Sequence, residues 1–144
     1  MEEEAIKFYQ HLFTADLHTR PERITEVIQN KVTNVMNERL CAPVTDEEIE
    51  NALFTMHPSK SPRPDGFSAG FYIRHWSLLK PSVCAAIRTF FETGNMPEEI
   101  NKTVLVLVPK IKAPQDLTQY RPISLCNVIY KIVSKVMAIR LRPI

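Results

Sequence analysis

Three basic side chains stand around a short turn in the second half of the chain: Lys110, Lys112 and Arg121. An uncharged apolar run, Thr103 to Val108, comes immediately before them. Lysine supplies a mobile point charge, and arginine supplies a planar pair of donors that fits a phosphate group. On a rigid hairpin, such cations could hold the β- and γ-phosphates of a nucleotide in one geometry. A solvated basic turn is the alternative, because charge runs are usually surface.

The segments around this turn predict a strand, a return and a helix. The run from Thr103 to Val108 lacks alternation of apolar and polar residues, which predicts a strand covered on both faces. Tyr120 to Leu125 is expected to pair back on it. From Asn127 to Arg142 the apolar spacing predicts a basic amphipathic helix, with Lys131 and Lys135 among the residues on its polar side.

The first hundred residues predict a series of helices. Thr45 and Glu48 form a capping-box pattern that opens one of them. Aromatic residues at helical spacing after Gly66 are expected to pack into the core, and a base-stacking surface is the alternative. The predicted helices cover Glu3 to Ala15, Glu22 to Leu40, Thr45 to His57, Phe67 to Trp76 and Leu78 to Thr93, with Pro81 in the first turn of the last and Gly94 just after it.

Charge is divided unequally along the chain. Residues 1–56 contain 5 Lys and Arg against 11 Asp and Glu, a net charge of −6, whereas residues 57–144 contain 13 against 5, a net charge of +8. A basic half favours a polyanion partner. The alternative is that the two halves attract one another.

The cysteines and the apolar runs indicate the compartment. Cys41, Cys84 and Cys126 are odd in number and contain no C-x-x-C spacing, which argues against a disulfide framework or a zinc site. Each is expected to be a small buried residue. No apolar run approaches the ~20 residues of a membrane span, and Met1 is followed by three glutamates rather than a leader. An intracellular protein of the cytoplasm or nucleus is predicted, not a secreted one.

A long block of the chain resembles a known family. It begins with Val108-Pro109-Lys110, continues with Tyr120-Arg121-Pro122-Ile123-Ser124-Leu125, and ends with a Y-K-I-x-S-K pattern from Tyr130 and the pair Arg140-Leu141. This order is similar to the first block of the reverse transcriptases of non-LTR (LINE-type) retrotransposons, most closely the plant ones. The resemblance implies that Lys110 and Arg121 lie near the incoming nucleotide. It also implies that Lys112, Lys131 and Lys135 lie near the template.

A second block, Lys60-Ser61-Pro62-Arg63-Pro64-Asp65-Gly66, resembles the upstream K-S-P-G-P-D-G of the same family. There the loop belongs to an N-terminal extension of the fingers that contacts template RNA, so Lys60 and Arg63 become expected phosphate contacts. Arg63 stands where the family usually has glycine, and a positive φ at that position would strain it.

The resemblance implies an α+β, mostly helical fold: an incomplete fingers subdomain of a right-hand polymerase with one short β-hairpin. The expected segments are an acidic helical extension (1–56), a Pro-rich loop with helices (57–101), and the hairpin with its basic helix (102–144). The family holds Mg²⁺ with aspartates of the palm. No Asp-Asp pair exists here and no aspartate follows Asp116, so no catalytic residue, metal site or cofactor is assigned within these 144 residues.

The predicted function is a truncated fragment of an RNA-directed DNA polymerase, inactive alone. The alternatives are a small non-catalytic RNA-binding module derived from a retroelement and an inert decay product without a stable fold. The expected partners are RNA, bound weakly, and further copies of the chain through an uncovered strand; no membrane partner is expected.

Overall fold

The described residues, 2–14, 32–59 and 65–144 of a computed structural model, form α-helices and one two-stranded hairpin. The elements are, in chain order, α1 (Glu2–Phe13), α2 (Asn34–Cys41), α3 (Asp46–Phe54), α4 (Ala69–Arg74), α5 (Trp76–Thr93), α6 (Glu98–Asn101), β1 (Thr103–Pro109), a 3-10 turn (Leu117–Gln119), β2 (Tyr120–Cys126) and α7 (Val128–Leu141). The predicted α+β, mostly helical fold with one short hairpin is therefore confirmed.

Capping residues decide where the early helices begin. The Glu48 N–H donates to the Thr45 hydroxyl (3.2 Å) and the Thr45 N–H donates to the Glu48 carboxylate (3.0 Å), so the predicted capping box opens α3. The predicted helix Glu22 to Leu40 is wrong near Thr33, which is extended and caps a new helix, α2, with its hydroxyl. The earlier part of that prediction, residues 22–31, lies outside the described residues.

The middle helices also start and stop at identifiable residues. Ser68 caps α4, which ends at Arg74, and α5 begins at Trp76. The predicted first-turn position of Pro81 is wrong, because the earlier start of α5 puts Pro81 inside the helix. Gly94 ends α5 as predicted, with a φ of +72° that favours glycine.

The chain folds as two compact units. One contains α1 and Leu107–Ile123, and the other contains Val32–Val106 and Ser124–Ile144. In the first unit the buried Tyr9 donates its hydroxyl to the Leu117 carbonyl (3.3 Å), which attaches α1 to the 3-10 turn. The expected division into three segments stays a prediction.

The core of the second unit is built by α3, α4, α5 and α7. Its largest fully buried side chains are Ile49, Leu53, Cys84, Ile87, Val128, Ile132 and Val136. The buried positions Val128, Ile132 and Val136 of α7 recur every four residues, as the helical spacing of an amphipathic helix requires. Met137 and Leu141, also apolar, are exposed. Each fully buried aliphatic side chain contributes about 1.5–3 kcal/mol, so these contacts are the main stabilisation of the unit.

Arg140, near the end of α7, forms hydrogen bonds with the first turn of α3 and with the segment before it. Its guanidinium donates to both carboxylate oxygens of Glu48, at 2.8 Å each. Its other N–H groups donate to the carbonyls of Leu40, Ala42 and Pro43, at 3.0, 2.6 and 3.1 Å. All five guanidinium donors are thereby used, and the segment between α2 and α3 is held against α7.

Asn127 connects the end of β2 to α6. It is buried, and its amide donates to the carbonyls of Glu99 and Ile100, at 2.7 and 3.2 Å. The side-chain oxygen makes no capping hydrogen bond to α7, which follows directly, and it is buried without a partner among the described residues.

The hairpin has a register that contacts at both ends define. At the turn, the Lys110 N–H donates to the Gln119 carbonyl (2.8 Å). At the other end, the Thr103 hydroxyl lies 3.5 Å from the Cys126 sulfur. The two seven-residue strands thus pair one to one, and Arg121 lies opposite Val108.

The predicted strand is present. The pattern-based prediction that both its faces are covered is wrong, whereas the uncovered strand expected for this chain is observed. Most residues of β1 and β2 are exposed, including Val104, Leu105, Val106, Val108 and Ile123. The described part of the chain contains no third strand to pair with them. The apolar pattern was recognised correctly, but these residues do not reach a core.

Pro122 lies at a favourable place in β2. Hydrogen-bonded pairs alternate along antiparallel strands, and Lys110 with Gln119 is such a pair. By this alternation the N–H of residue 122 would point away from β1. Proline there removes no bond from the hairpin and leaves the outer edge of β2 without that donor.

Candidate nucleic-acid interface

Lys110 stands at the start of the hairpin turn and is exposed. Its ammonium donates to the Thr118 carbonyl (2.6 Å), and because an ammonium has three donors, two remain for a ligand. The Asp116 carboxylate accepts from the Thr118 N–H (2.7 Å) and so caps the 3-10 turn. This backbone hydrogen bond lowers the pKa of Asp116 from its ordinary value. The turn is therefore held by its own side chains.

Arg121 lies on β2, exposed, with no hydrogen bond or ion pair to the described part of the chain. In the hairpin register it is the diagonal neighbour of Lys110 on the same face, and such neighbours are about 7–8 Å apart. Lys112 is exposed farther along the turn. The fold thus brings Lys110 and Arg121 to one face, as a site for a phosphate chain requires.

The other predicted contacts are placed less uniformly. Lys131 and Lys135 are one turn apart on α7, and both are half-buried rather than solvated. Lys131 already interacts with its surroundings. Lys60 and Arg63 lie outside the described residues. The turn that follows them is as expected, because Gly66 has a φ of +78° and the Asp65 carboxylate accepts from the Phe67 N–H (3.0 Å).

Acidic α3 neutralises several of the basic residues. The ion pairs are Glu50 with Lys80 (2.7 Å), Asp46 with Arg88, and Glu48 with Arg140 (2.8 Å). Each joins an acid of residues 1–56 to a base of residues 57–144. The alternative interpretation of the charge division, attraction between the two halves, is therefore realised for three basic residues, and these are not available to a polyanion.

The pKa values of Glu48 and Cys84, both in the second unit, are shifted in opposite directions. Hydrogen bonding to the Arg140 guanidinium is the main cause that lowers the pKa of Glu48. Burial, with the nearby Asp46 carboxylate as a lesser cause, raises the pKa of the Cys84 thiol to about 11. Cys84 is therefore an unreactive core residue. Cys41, also expected to be buried, is exposed, and Cys126 is half-buried.

No cluster of three or more His, Cys, Asp or Glu side chains within the described ranges is arranged to hold a metal ion. Among those same residues, no helix is both long and apolar enough to cross a membrane.

The aromatic residues around α4 divide into two sets. Tyr72 and Trp76 are buried in the core, as predicted. Phe67, Phe71 and His75 are exposed, so the prediction of core packing is wrong for Phe67 and Phe71. The sequence spacing could have indicated this division. Positions 67, 71 and 75 form one row at four-residue intervals, and positions 72 and 76 form a second row, offset by one residue and so on an adjacent face of the helix. No sequence pattern indicated the structural role of Arg140, because its partner Glu48 is 92 residues away in the chain.

Comparison with known proteins relates the chain to a mobile element. No protein-family model matches it. The chain is 33% identical over 142 residues to the Transposon TX1 uncharacterized 149 kDa protein of Xenopus laevis, an alignment that covers 97% of this chain and 11% of that protein. The chain therefore spans about a ninth of this relative's length. Over nearly all of its own length, it is similar to part of a transposon protein.

Proposed function

We propose that these 144 residues are the N-terminal extension and fingers portion of a reverse transcriptase, an RNA-directed DNA polymerase of a LINE-type, non-LTR retrotransposon resembling those of plants. The observation that carries the proposal is the hairpin, which has Lys110 and Arg121 on one face within the family-like block. The similarity to a transposon protein along 97% of the chain supports the same origin.

In this function the hairpin holds the phosphates of the incoming nucleotide. Arg121 offers a bidentate fork, and Lys110 offers the two ammonium donors that Thr118 leaves unused. They neutralise charge on the β- and γ-phosphates without taking part in bond making. The template strand contacts Lys112, Lys131 and Lys135, and the loop with Lys60 and Arg63. An intracellular location in the cytoplasm or nucleus belongs to the same proposal.

The chemistry of DNA synthesis requires carboxylate-bound Mg²⁺, for which these residues supply no Asp-Asp pair. As an isolated 144-residue chain the protein is expected to give no product in primer extension on an RNA template with Mg²⁺ and all four nucleotides. Template-dependent product from the purified chain would contradict the absence of catalytic carboxylates.

The polymerase assignment is tested in a longer protein that contains these residues. Joined in frame to a palm with paired aspartates, these residues are expected to form a protein that extends a primer on RNA. In that protein Arg121→Ala should raise the KM for nucleotides at least tenfold, with Arg121→Lys intermediate and exposed Arg142→Ala unchanged. A nucleotide KM that Arg121→Ala leaves unchanged in the joined protein would refute the proposed role of the hairpin.

A second candidate function is a small, non-catalytic RNA-binding module derived from the same element. It is favoured by the tail from Lys102 onward, where Asp116 is the only acid against eight basic residues. Binding to a fluorescent RNA should be weak and without sequence preference. The affinity should fall steeply between about 50 and 200 mM salt, as it does when contacts to phosphates dominate binding. Affinity that ignores salt, or that survives replacement of Lys60, Lys110, Arg121, Lys131 and Lys135 by alanine, would refute RNA binding by this surface.

A further inference from the structure

Three exposed rings form a row along one side of α4. They belong to Phe67, Phe71 and His75, which follow one another at intervals of four residues. The ring centroids of Phe67 and Phe71 are 4.6 Å apart, and those of Phe71 and His75 are 4.9 Å apart. Phe67 is 43% exposed and Phe71 36%. We call this row the aromatic ladder.

The ladder is fixed to the core by a buried ring. Tyr72 meets Phe67 edge-on at 6.4 Å and Phe71 edge-on at 5.7 Å. The contact between Phe67, just before the Ser68 cap, and Tyr72, in the fourth position of α4, is a hydrophobic staple. The exposed rings are thereby held in place before any ligand arrives, which lowers the entropy cost of binding.

A groove with a positive charge lies beside the ladder. It has a volume of about 640 Å³ and is lined by Ser59, Ser68, Phe71, Arg74 and His75, among others. Arg74 is exposed and makes no ion pair or side-chain hydrogen bond within the described part of the chain, unlike Lys80, Arg88 and Arg140 of the same unit. The Ser68 hydroxyl accepts from the Phe71 N–H and keeps its own proton to donate.

We propose that the aromatic ladder and Arg74 bind unpaired nucleobases of single-stranded RNA. Flat bases stack on exposed rings with little regard to sequence, because every base has a π face. The guanidinium of Arg74 at the groove is the matching contact for a phosphate of the same strand. This inference rests on the proposed function, which supplies the nucleic-acid partner.

The sequence that contains the ladder is basic, which favours a polyanion over an apolar protein segment. Residues 57–75 contain three basic residues, Lys60, Arg63 and Arg74, and one acid, Asp65. The Asp65 carboxylate lies close to the ladder, but it already accepts from the Phe67 N–H. A purely apolar partner would leave an unpaired arginine at the edge of its interface.

The test compares two strands that differ only in their bases. Fluorescence anisotropy measures binding of the chain to a uridine 12-mer and to an abasic 12-mer with the same phosphates. Phe71→Ala should weaken binding of the uridine strand about 5- to 150-fold, equivalent to the ~1–3 kcal/mol of one stacked base. It should leave the abasic strand unaffected. Arg74→Ala should weaken binding of both strands.

Two further variants separate stacking from folding. Phe71→Leu keeps the apolar volume against Tyr72 but removes the π face, so it should retain the wild-type melting temperature and still lose base-dependent affinity. Phe71→Tyr should restore that affinity. Leu78→Ala, at a position 77% exposed on α5, removes an apolar side chain away from the ladder and should change neither affinity.

The outcomes also separate this proposal from the proposed function. Equal, salt-dependent affinity of the wild type for both strands would refute the ladder while leaving RNA binding by the basic residues intact, and would indicate a protein cover for these rings. Uridine-strand affinity that is unchanged in Phe71→Leu and Phe71→Ala would refute it as well. Failure to bind either strand at low salt would refute both, whereas a nucleotide KM that Arg121→Ala leaves unchanged in the joined protein would leave the ladder standing.

Discussion

The helical core of the second unit and the β-hairpin use similar apolar residues to opposite effect. Ile132 and Val136 of α7 are fully buried among α3, α4 and α5, whereas Val104 and Val106 of β1 are exposed. Ion pairs join Asp46, Glu48 and Glu50 of α3 to bases of α5 and α7. Arg121 of β2, in contrast, has no partner among the described residues. The apolar and charged side chains of the helices are largely used in contacts with one another, whereas most of those of the hairpin are exposed and free to contact a ligand. Unused side chains of this kind are a better guide to binding than composition.

The strongest test of this contrast puts one charge into each region. Val136, 1% exposed, and Val106, 40% exposed, are each changed to lysine. Val136→Lys should cost several kcal/mol, because a buried unpaired charge is not solvated, and should unfold a domain whose total stability is about 5–15 kcal/mol. Val106→Lys should keep the circular dichroism spectrum and melting temperature and reduce light scattering, since an uncovered apolar strand promotes self-association. Equal unfolding by both substitutions would show that the hairpin is part of a closed core.

A smaller effect is expected from the two arginines. Arg140, with a side chain 11% exposed and five hydrogen bonds, should lose about 2–4 kcal/mol of unfolding free energy on change to alanine. Arg121→Ala should change the unfolding free energy by no more than about 0.5 kcal/mol. Arg142→Ala, at the exposed residue that follows α7, serves as the control for Arg140→Ala. Urea unfolding of the three variants measures this. A similar loss for Arg121→Ala would place its guanidinium in a structural role instead of a binding one.

Acid should weaken the helical unit through Glu48. Its pKa is lowered from 4.5 in the folded protein, mainly by hydrogen bonding to Arg140. Because the folded pKa lies below the unfolded one, this stabilisation is fully present above about pH 4.5 and is lost as the pH falls through the folded value. Unfolding free energy measured from pH 6 to pH 3 should therefore decrease, and Glu48→Gln should reduce the slope. Asp116→Asn, on the fully exposed carboxylate of the hairpin turn, should change the slope less; the reverse order would contradict this assignment.

The smallest effect is expected for the exposed ion pair of Asp46 and Arg88. Both side chains are more than 40% exposed, and such pairs contribute about 0–1 kcal/mol. Arg88→Ala should lower the unfolding free energy by less than this limit, and 0.5 M salt should abolish the difference. A loss of unfolding free energy as large as that of Arg140→Ala would mean that the exposed ion pair stabilises the second unit as much as the hydrogen bonds of Arg140 do.

Local sequence patterns predicted many of the helix and strand boundaries, but few of the contacts between residues that are distant in the chain. The Thr45–Glu48 capping box, the Gly94 helix end and the strand from Thr103 follow from nearby residues, and all three are present. The break at Thr33 was missed because a threonine inside an apolar helical pattern can serve as either a helix residue or a cap.

The candidate site divides in the same way. Lys110 and Arg121 were assigned from their position around one turn and from the resemblance, and their phosphate-binding role stays a prediction. The five hydrogen bonds of the Arg140 guanidinium were not predicted from the sequence, because they join segments about a hundred residues apart. The exposure of Phe67 and Phe71 was also missed. An apolar ring at helical spacing does not reveal which of two adjacent helix faces meets the core.

Pro122 has a consequence for stoichiometry. On the outer edge of β1 the N–H groups of Leu105 and Leu107 are consecutive, because Pro109 comes only at its end, and no other strand of the described residues pairs with them. The outer edge of β2 is interrupted by Pro122, between Tyr120 and Ser124. A hairpin with two open edges can polymerise without limit, whereas one with a single open edge stops growing when two copies have joined. Association through this hairpin should therefore give a closed pair, an end point at two chains rather than a fibre.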